Sequence, residues 1–453
     1  MSPRTRPDVA AAAARVERAY LERTPASRAA YLAAGGVVPG GVSGAAKHYE
    51  PHPVFVASAA GATVTDLDGH TYLDLLMGAG AVLLGHGHPL VTAAVGRQLE
   101  RAATLLAPTE LERRHAERLR GHMPHLERLR YANTGSEALR TALRAARAVT
   151  GRTRYAKFEG NFHGSDDAFL WSATARRTPG TPRRPAPTPD CAGLPERLAG
   201  EVLLLPYNDP DAAAALLAEH GQTLAAVFLE PVAFSTGGAV AADPGFARVV
   251  ADATRRAGAL LVFDEVVTCL RLGLAGAPAY LGVTPDLSCV GKAVGGGLPL
   301  SAFGGRAEVM DAALGRDAAA RIFHSGTFTA NPLSLAAGMA VLDVVESEPV
   351  VPTLDELGGH LRLALQQVCD RHGLGQVTGV GSIFQLHLTE APPRNRREVL
   401  AGDLELLRVV LLGMCAGGVL WPPVHPGVLS YAHDRAGLDR VADTLDAVLG
   451  ALA

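Results

Sequence analysis

The sequence predicts an α/β protein: a large domain on a mostly parallel central sheet, followed by a smaller α+β domain. Three observations carry that reading. Short apolar, β-rich runs recur at 154–158, 202–205, 225–229, 259–263 and 287–290. Helical patterns separate several of them, at 135–150, 210–219 and 244–257. Strands that are apolar on both faces, joined by crossover helices, produce this rhythm. The C-terminal part changes character, with helical patterns at 352–373, 396–415 and 434–452 around short strands near 376–388 and 428–431.

Taken in order, residues 8–35 read as two short helices about "TPAS", with Pro25 near the start of the second. The alanine run of "MSPRTRPDVAAAAARVERAY" is followed by Arg15, Glu17 and Arg18, so it reads as helix rather than a secretory leader. "PVFVASAAGATVTDLDGHTYLDLL" (53–76) reads as strand, turn, strand, punctuated at Gly61 and Asp68-Gly69. The Pro-rich stretch 177–195 is a long surface loop. With Arg176, Arg177, Arg183 and Arg184 it is either a solvated variable loop or a lid that attracts an acidic substrate or carrier. The expected division is 1–62, a helical arm and strand segment packing with the small domain; 63–347, the large domain; and 348–453, the small domain.

Composition narrows the function classes. Lys and Arg number 42 against 45 Asp and Glu, a net charge of −3. That balance offers no stripe for nucleic acid and no membrane-binding face. Apolar runs are broken by glycine or charge before membrane length. The five cysteines, Cys191, Cys269, Cys289, Cys369 and Cys415, lack CxxC spacing. They fit reduced thiols in a cytoplasmic protein, not a disulfide framework or a metal site.

The chemistry turns on Lys292 in "DLSCVGKAVGGGLPLSAFGG". It is either a lysine at a strand end with its head in solvent, or a buried amine. It is not a P-loop lysine, because Ala293 follows it where Ser or Thr is needed. Desolvation lowers the pKa of a buried amine, and a neutral amine forms a Schiff base with an aldehyde cofactor. Such a cofactor needs accessories. Asp264 ends the apolar run of "LLVFDEVVT" and is either a partner for a pyridine nitrogen or a surface or capping carboxylate. Thr134, Gly135 and Ser136 open a helix, either as a phosphate cradle or as an ordinary cap. Phe162 and His163 lie in the Gly-flanked turn "FEGNFHGS", as stacking or as packing residues.

In this order and on this background the motifs resemble the class III (subgroup II) aminotransferases of fold type I, which depend on pyridoxal 5′-phosphate. The resemblance runs from "VPGGVS" (38–43) to "SYAHD" (430–434). It includes "GHGHP", "APTELE", "NTGSEA", "FEGNFHG", "PYND", "FLEPV", "FDEVVT" and "HSGTFTANPLSLAAG". Within the class the pattern is that of the glutamate-1-semialdehyde 2,1-aminomutase branch, with aminotransferases of β-amino acids as near relatives. The resemblance implies that Lys292 carries the Schiff base and then serves as general base and acid. Asp264 would hold the pyridine nitrogen protonated. Val266 would pack beneath the ring and Phe162 above it, where tyrosine is common. His163 belongs to the same turn, and Glu230 would lie near the phenolic edge. Thr327 would complete the phosphate cradle of a neighbouring subunit, which implies a homodimer with shared sites. The ligands would be a small amino donor and a carbonyl acceptor.

Three departures from the mutase pattern concern the substrate. Lys47 stands where an arginine is expected, and the two are not equivalent for bidentate carboxylate binding. His425 and Pro426 stand where a glutamate is expected, and Met77 replaces an aromatic residue. A separate difference lies beside the cofactor rather than the substrate: Ser235 replaces an asparagine five residues past Glu230. The expected activity is amino transfer from an amino-acid donor to a carbonyl acceptor, on a specialised or β-amino-acid-like substrate. The alternatives are the intramolecular aminomutase reaction and epimerisation; Lys292 and Asp264 serve all three.

Overall fold

The computed structural model describes residues 9–315, 317, 321–423 and 425–452. Its centre is a seven-stranded sheet, numbered here in chain order: β1 Arg128–Ala132, β2 Arg154–Phe158, β3 Val202–Leu205, β4 Leu224–Leu229, β5 Leu260–Glu265, β6 Leu287–Gly291 and β7 Ser301–Gly305. Their spatial order is β1-β7-β6-β5-β4-β2-β3. β7 runs antiparallel to both of its neighbours, β6 and β1. All other neighbours are parallel. Every strand except β7 therefore ends at the same edge of the sheet, where an α/β fold places its ligands.

The apolar runs follow from burial of both faces. On β4 and β5, Phe228 and Val262 pack with Ala138, Leu139 and Ala142 of the helix Gly135–Thr150. The alternate residues Val227, Leu229, Leu261 and Phe263 pack with Phe246, Ala247 and Val250 of the helix Pro244–Ala257. The strand period of two thus feeds two cores.

The sequence runs correspond to β2 through β6, and β1 and β7 escape them. β1 reads "RLRYA", with Arg128 and Arg130 exposed at the sheet edge. β7 ends in Gly304 and Gly305, where an added Cβ would strike the Arg128 and Asp286 carbonyls. Neither strand shows the apolar signal of a central one.

The strand, turn, strand expected over 53–76 is three strands, Val56–Ala60, Thr63–Asp66 and Thr71–Asp74, because both turn signals are used. Val419–Leu420 pairs in parallel with the third. Gln376–Val380, Ile383–His387 and Gly427–Val428 form another sheet, beside which helices Val350–His372 and Arg435–Gly450 bury Leu361, Leu365, Val441 and Leu445 in one core. The helical pattern 396–415 is two helices, Arg396–Leu400 and Leu404–Ala416. Gly402 interrupts it, and the Asp403 carboxylate restarts it by accepting from Leu406 N at 3.0 Å. Within 177–195 a hairpin pairs Gly180–Thr181 with Arg184–Pro185. Arg183 pairs with Asp209, and Arg184 with Glu219. Among the described residues no helix is long and apolar enough to cross a membrane.

Candidate active site

Lys292 follows β6 directly, and its backbone is left-handed at φ 51°. A non-glycine residue held there is strained by about 1–3 kcal/mol, which the surrounding fold must impose. The side chain is half-buried. Its Nζ donates to the Ala79 carbonyl at 2.6 Å and lies 5.2 Å from the centre of the Phe234 ring. Burial first, and then the Arg271 charge, lower its pKa to about 8. Asp264 and Glu230 oppose that shift, so both carboxylates lie within electrostatic reach of the amine.

Asp264 stands one residue before the end of neighbouring β5, in register with Cys289. Its Oδ1 accepts from Val266 N at 3.1 Å, and its Oδ2 lies 2.8 Å from His163 Nδ1. His163 is fully buried, and burial lowers its pKa against the pull of Asp264. A neutral ring donating through Nδ1 satisfies that contact. Its Nε2 is buried without a partner among the described residues. Glu230, just past β4, is also buried; its Oε2 accepts from Phe162 N at 2.7 Å and its Oε1 from Phe234 N at 3.4 Å. Burial, then the Asp264 charge, raise the Glu230 pKa well above the carboxylate range.

Thr134 caps the helix Gly135–Thr150, its Oγ1 accepting from Glu137 N at 3.2 Å. Ser136 Oγ accepts from Ser165 N at 3.0 Å, which ties the turn of Phe162 and His163 to this helix start. Val266 packs between two glycines. A Cβ on Gly135 would stand 2.9 Å from Val266 Cγ2, and one on Gly291 3.2 Å from Cγ1. The first-turn amides, which have no intrahelical partner, thus lie against the Val266 side chain.

The remaining expected residues are more scattered. Thr327 is exposed, with exposed Phe323 and Phe328 beside it. Lys47 is exposed and donates to Ser43 Oγ at 3.3 Å, at the edge of an apolar cavity of about 530 Å³. Met77 is fully buried in one cluster with Val232 and Phe234. His425 stacks on Phe234, ring centres 6.3 Å apart and planes at 19°, and burial lowers its pKa to about 4.

Sequence reasoning missed three residues here. Phe234 touches both Lys292 and His425. Arg271 is buried and binds the Gly80 and Leu429 carbonyls, each at 2.8 Å, and Ser382 Oγ at 2.9 Å. Lys157 on β2 is fully buried and donates to the Phe169 and Trp171 carbonyls at 3.1 and 2.9 Å. A charge inside an apolar run singled out Lys292, and the same signal marks Lys157 in "RYAKF" and Arg271 in "TCLRLGL". Phe234 carries no such mark.

An amine of lowered pKa, an oriented carboxylate and an open helix start over a valine fit a phosphorylated pyridine aldehyde. Fold and site thus define a pyridoxal 5′-phosphate enzyme of fold type I. The family model for class-III aminotransferases matches residues 44–432, and the chain belongs to that family. It is 36% identical to the glutamate-1-semialdehyde 2,1-aminomutase of Methanosarcina acetivorans, over 92% of this chain and 96% of that one. Among solved structures, the β-phenylalanine aminotransferase of Variovorax paradoxus superposes with a TM-score of 0.88 at 32% identity, covering 98% of this chain and 97% of that one. A glutamate-1-semialdehyde aminomutase of Pseudomonas aeruginosa in complex with PMP superposes with a TM-score of 0.88 at 28% identity, covering 99% and 100%.

Proposed function

We propose that this protein is an aminotransferase that moves an amino group from an amino-acid donor to a carbonyl acceptor, on a specialised, β-amino-acid-like substrate. The setting of Lys292 carries the reading. Its amine is partly desolvated, held by one carbonyl, and has a pKa of about 8. About a tenth of the amine is therefore neutral at pH 7, far more than for a free lysine, as a base requires.

When bound, pyridoxal phosphate supplies an electron sink for charge developing at the donor's α-carbon. Lys292 Nζ would take the proton from that carbon and give it up again within the donor half-reaction, and would move a proton in the opposite sense with the acceptor. Asp264, fixed by His163 and Val266 N, presents a carboxylate to the ring nitrogen. Gly135 and Ser136 offer amides, and Thr134 and Ser136 hydroxyls, to the phosphate. Val266 and Phe162 would cover the two faces of the ring and keep water from them. Glu230, which accepts from Phe162 N, would lie at the phenolic edge. Thr327, exposed on its own chain, would reach the phosphate held by a second copy in a homodimer. Lys47 and His425 border the substrate, and Met77 acts on it through the position of Phe234.

The departures from the mutase pattern support transfer over rearrangement. His425 is a neutral ring stacked on Phe234 where the mutases have an acid, and Lys47 cannot form a bidentate pair. The Variovorax similarity favours a β-amino acid. A second reading, the aminomutase reaction, draws on the Methanosarcina similarity. The deciding experiment follows the visible spectrum of the holoenzyme on adding L-glutamate and then β-amino acids. Loss of the cofactor's visible band with accumulation of the pyridoxamine form supports transfer. Rapid turnover of glutamate-1-semialdehyde, with no donor acting, would establish the mutase instead.

A further inference from the structure

Two consecutive arginines have different fates. Arg397 makes a bidentate ion pair with buried Glu159, at 2.7 and 3.0 Å. Among the described residues Arg396 has no ion-pair partner. Its Nη1 and Nη2 donate to the Thr236 and Thr174 carbonyls, and its Nε is buried without a partner among the described residues. The aliphatic stem packs on Gly160, φ +82°, where a side chain would collide with it. The acids that bear on Arg396 are already engaged. Glu159 holds Arg397, and Asp190 accepts from the Ala173, Thr174 and Ala175 amides at 2.7–3.0 Å. Burial, reinforced by the like charge of Arg176, lowers the Arg396 pKa to about 10.

Arg396 and Arg176 line one cavity of about 470 Å³, together with Ser235 and His425. Arg176 is exposed and makes no ion pair among the described residues. Of the other charges on the wall, Arg408 has a carboxylate partner, Glu405 at 2.7 Å, and Glu50 has a histidine nearby, His48 at 3.8 Å. Glu405, engaged with Arg408, also bears on Arg176 across this wall, but among the described residues neither Arg176 nor Arg396 has an ion pair of its own. His425, on the same wall, stacks on the ring that carries the Lys292 amine. The cavity wall is thus one ring away from the Lys292 amine, and its size is ordinary for a small-molecule site.

We propose that Arg176 and Arg396 form a second anion subsite, which takes an oxyanion, carboxylate or phosphate, at the end of the substrate remote from its amino group. A buried guanidinium without a carboxylate is costly, and an incoming oxyanion removes that cost while forming charge-assisted hydrogen bonds. The nature of the ligand as an amino compound rests on the aminotransferase reading; the subsite itself does not.

The test is calorimetric titration of the holoenzyme with glutarate, inorganic phosphate and neutral glutaramide, on the wild type, Arg176→Gln and Arg396→Gln. The expected result is that one of the two anions binds, glutaramide does not, and each substitution weakens the anion by at least about tenfold. Which anion binds decides between a carboxylate and a phosphate ester. In donor assays, KM for the matching anionic amino compound rises in both variants while kcat stays within about twofold. Arg176→Gln touches no packed contact, so it reports even if Arg396→Gln is unstable. Anion affinity indifferent to both substitutions overturns the subsite, whatever the enzyme turns over. Arginine-dependent binding with no donor active would leave the subsite standing and sink the aminotransferase reading.

Discussion

His163 Nδ1 and Asp264 Oδ2 stand 2.8 Å apart, and both side chains are buried. With Val266 N on the other oxygen, the carboxylate has one orientation. His163→Ala is expected to lower kcat by about 10–100-fold, as loss of an orienting partner does. His163→Asn, whose amide N–H stands near the Nδ1 position, should recover most of that loss. Steady-state kinetics on both variants decide it; equal loss in both would refute the orienting role.

Lys292 has a lowered pKa of about 8, so its neutral form grows through that pH. Covalent capture of pyridoxal phosphate by the cofactor-free protein should accelerate between roughly pH 7 and 9 and then level off. Lys292→Ala should abolish capture, read as the mass shift of the 286–305 segment after borohydride reduction, and lower kcat by at least about 100-fold. A label remaining on Lys157 in that variant would reassign the reactive amine.

Gly135 and Val266 fit as a pair, since an added Cβ at Gly135 would lie 2.9 Å from Val266 Cγ2. Gly135→Ala should weaken cofactor retention by about tenfold, the scale of local overpacking. Val266→Ala in the same chain should return part of it, because the space is shared. Equilibrium dialysis of the three variants measures the coupling. Simple additivity would mean that the two do not share a wall.

Lys157 has a folded pKa of about 8 against 10.5 for a free lysine, lowered chiefly by burial. Between those values the unfolded chain holds the proton and the folded chain does not. Stability therefore rises with pH across that window and is flat below it. The gain is on the order of 1–3 kcal/mol. Lys157→Met should lose its share of that rise, and at neutral pH should cost about 1–3 kcal/mol by stranding two carbonyls. Lys292 titrates in the same window, so the readout is the difference between the two denaturation profiles.

How much of this was legible in advance depends on how local each signal is. The five buried strands announced themselves because burial of both faces demands unbroken apolar residues, and the helix at 135–150 did so through its cap and its buried stripe. The antiparallel β7 did not, because its two glycines answer to neighbouring backbone rather than to any period. The break at Gly402-Asp403 was readable from residue type alone, yet it was masked by the helical spacing on either side.

By itself the sequence determined the α/β rhythm, the cofactor motifs and the suspicion attached to Lys292, since each rests on residue type and spacing within a few positions. Only the tertiary structure decided that Phe234 links Lys292 to His425, that His163 orients Asp264, and that Arg397 is paired while Arg396 is not. These pairs are separated in sequence by tens to hundreds of residues. Their energies depend on distance and burial, which the chain acquires only when the strand ends converge.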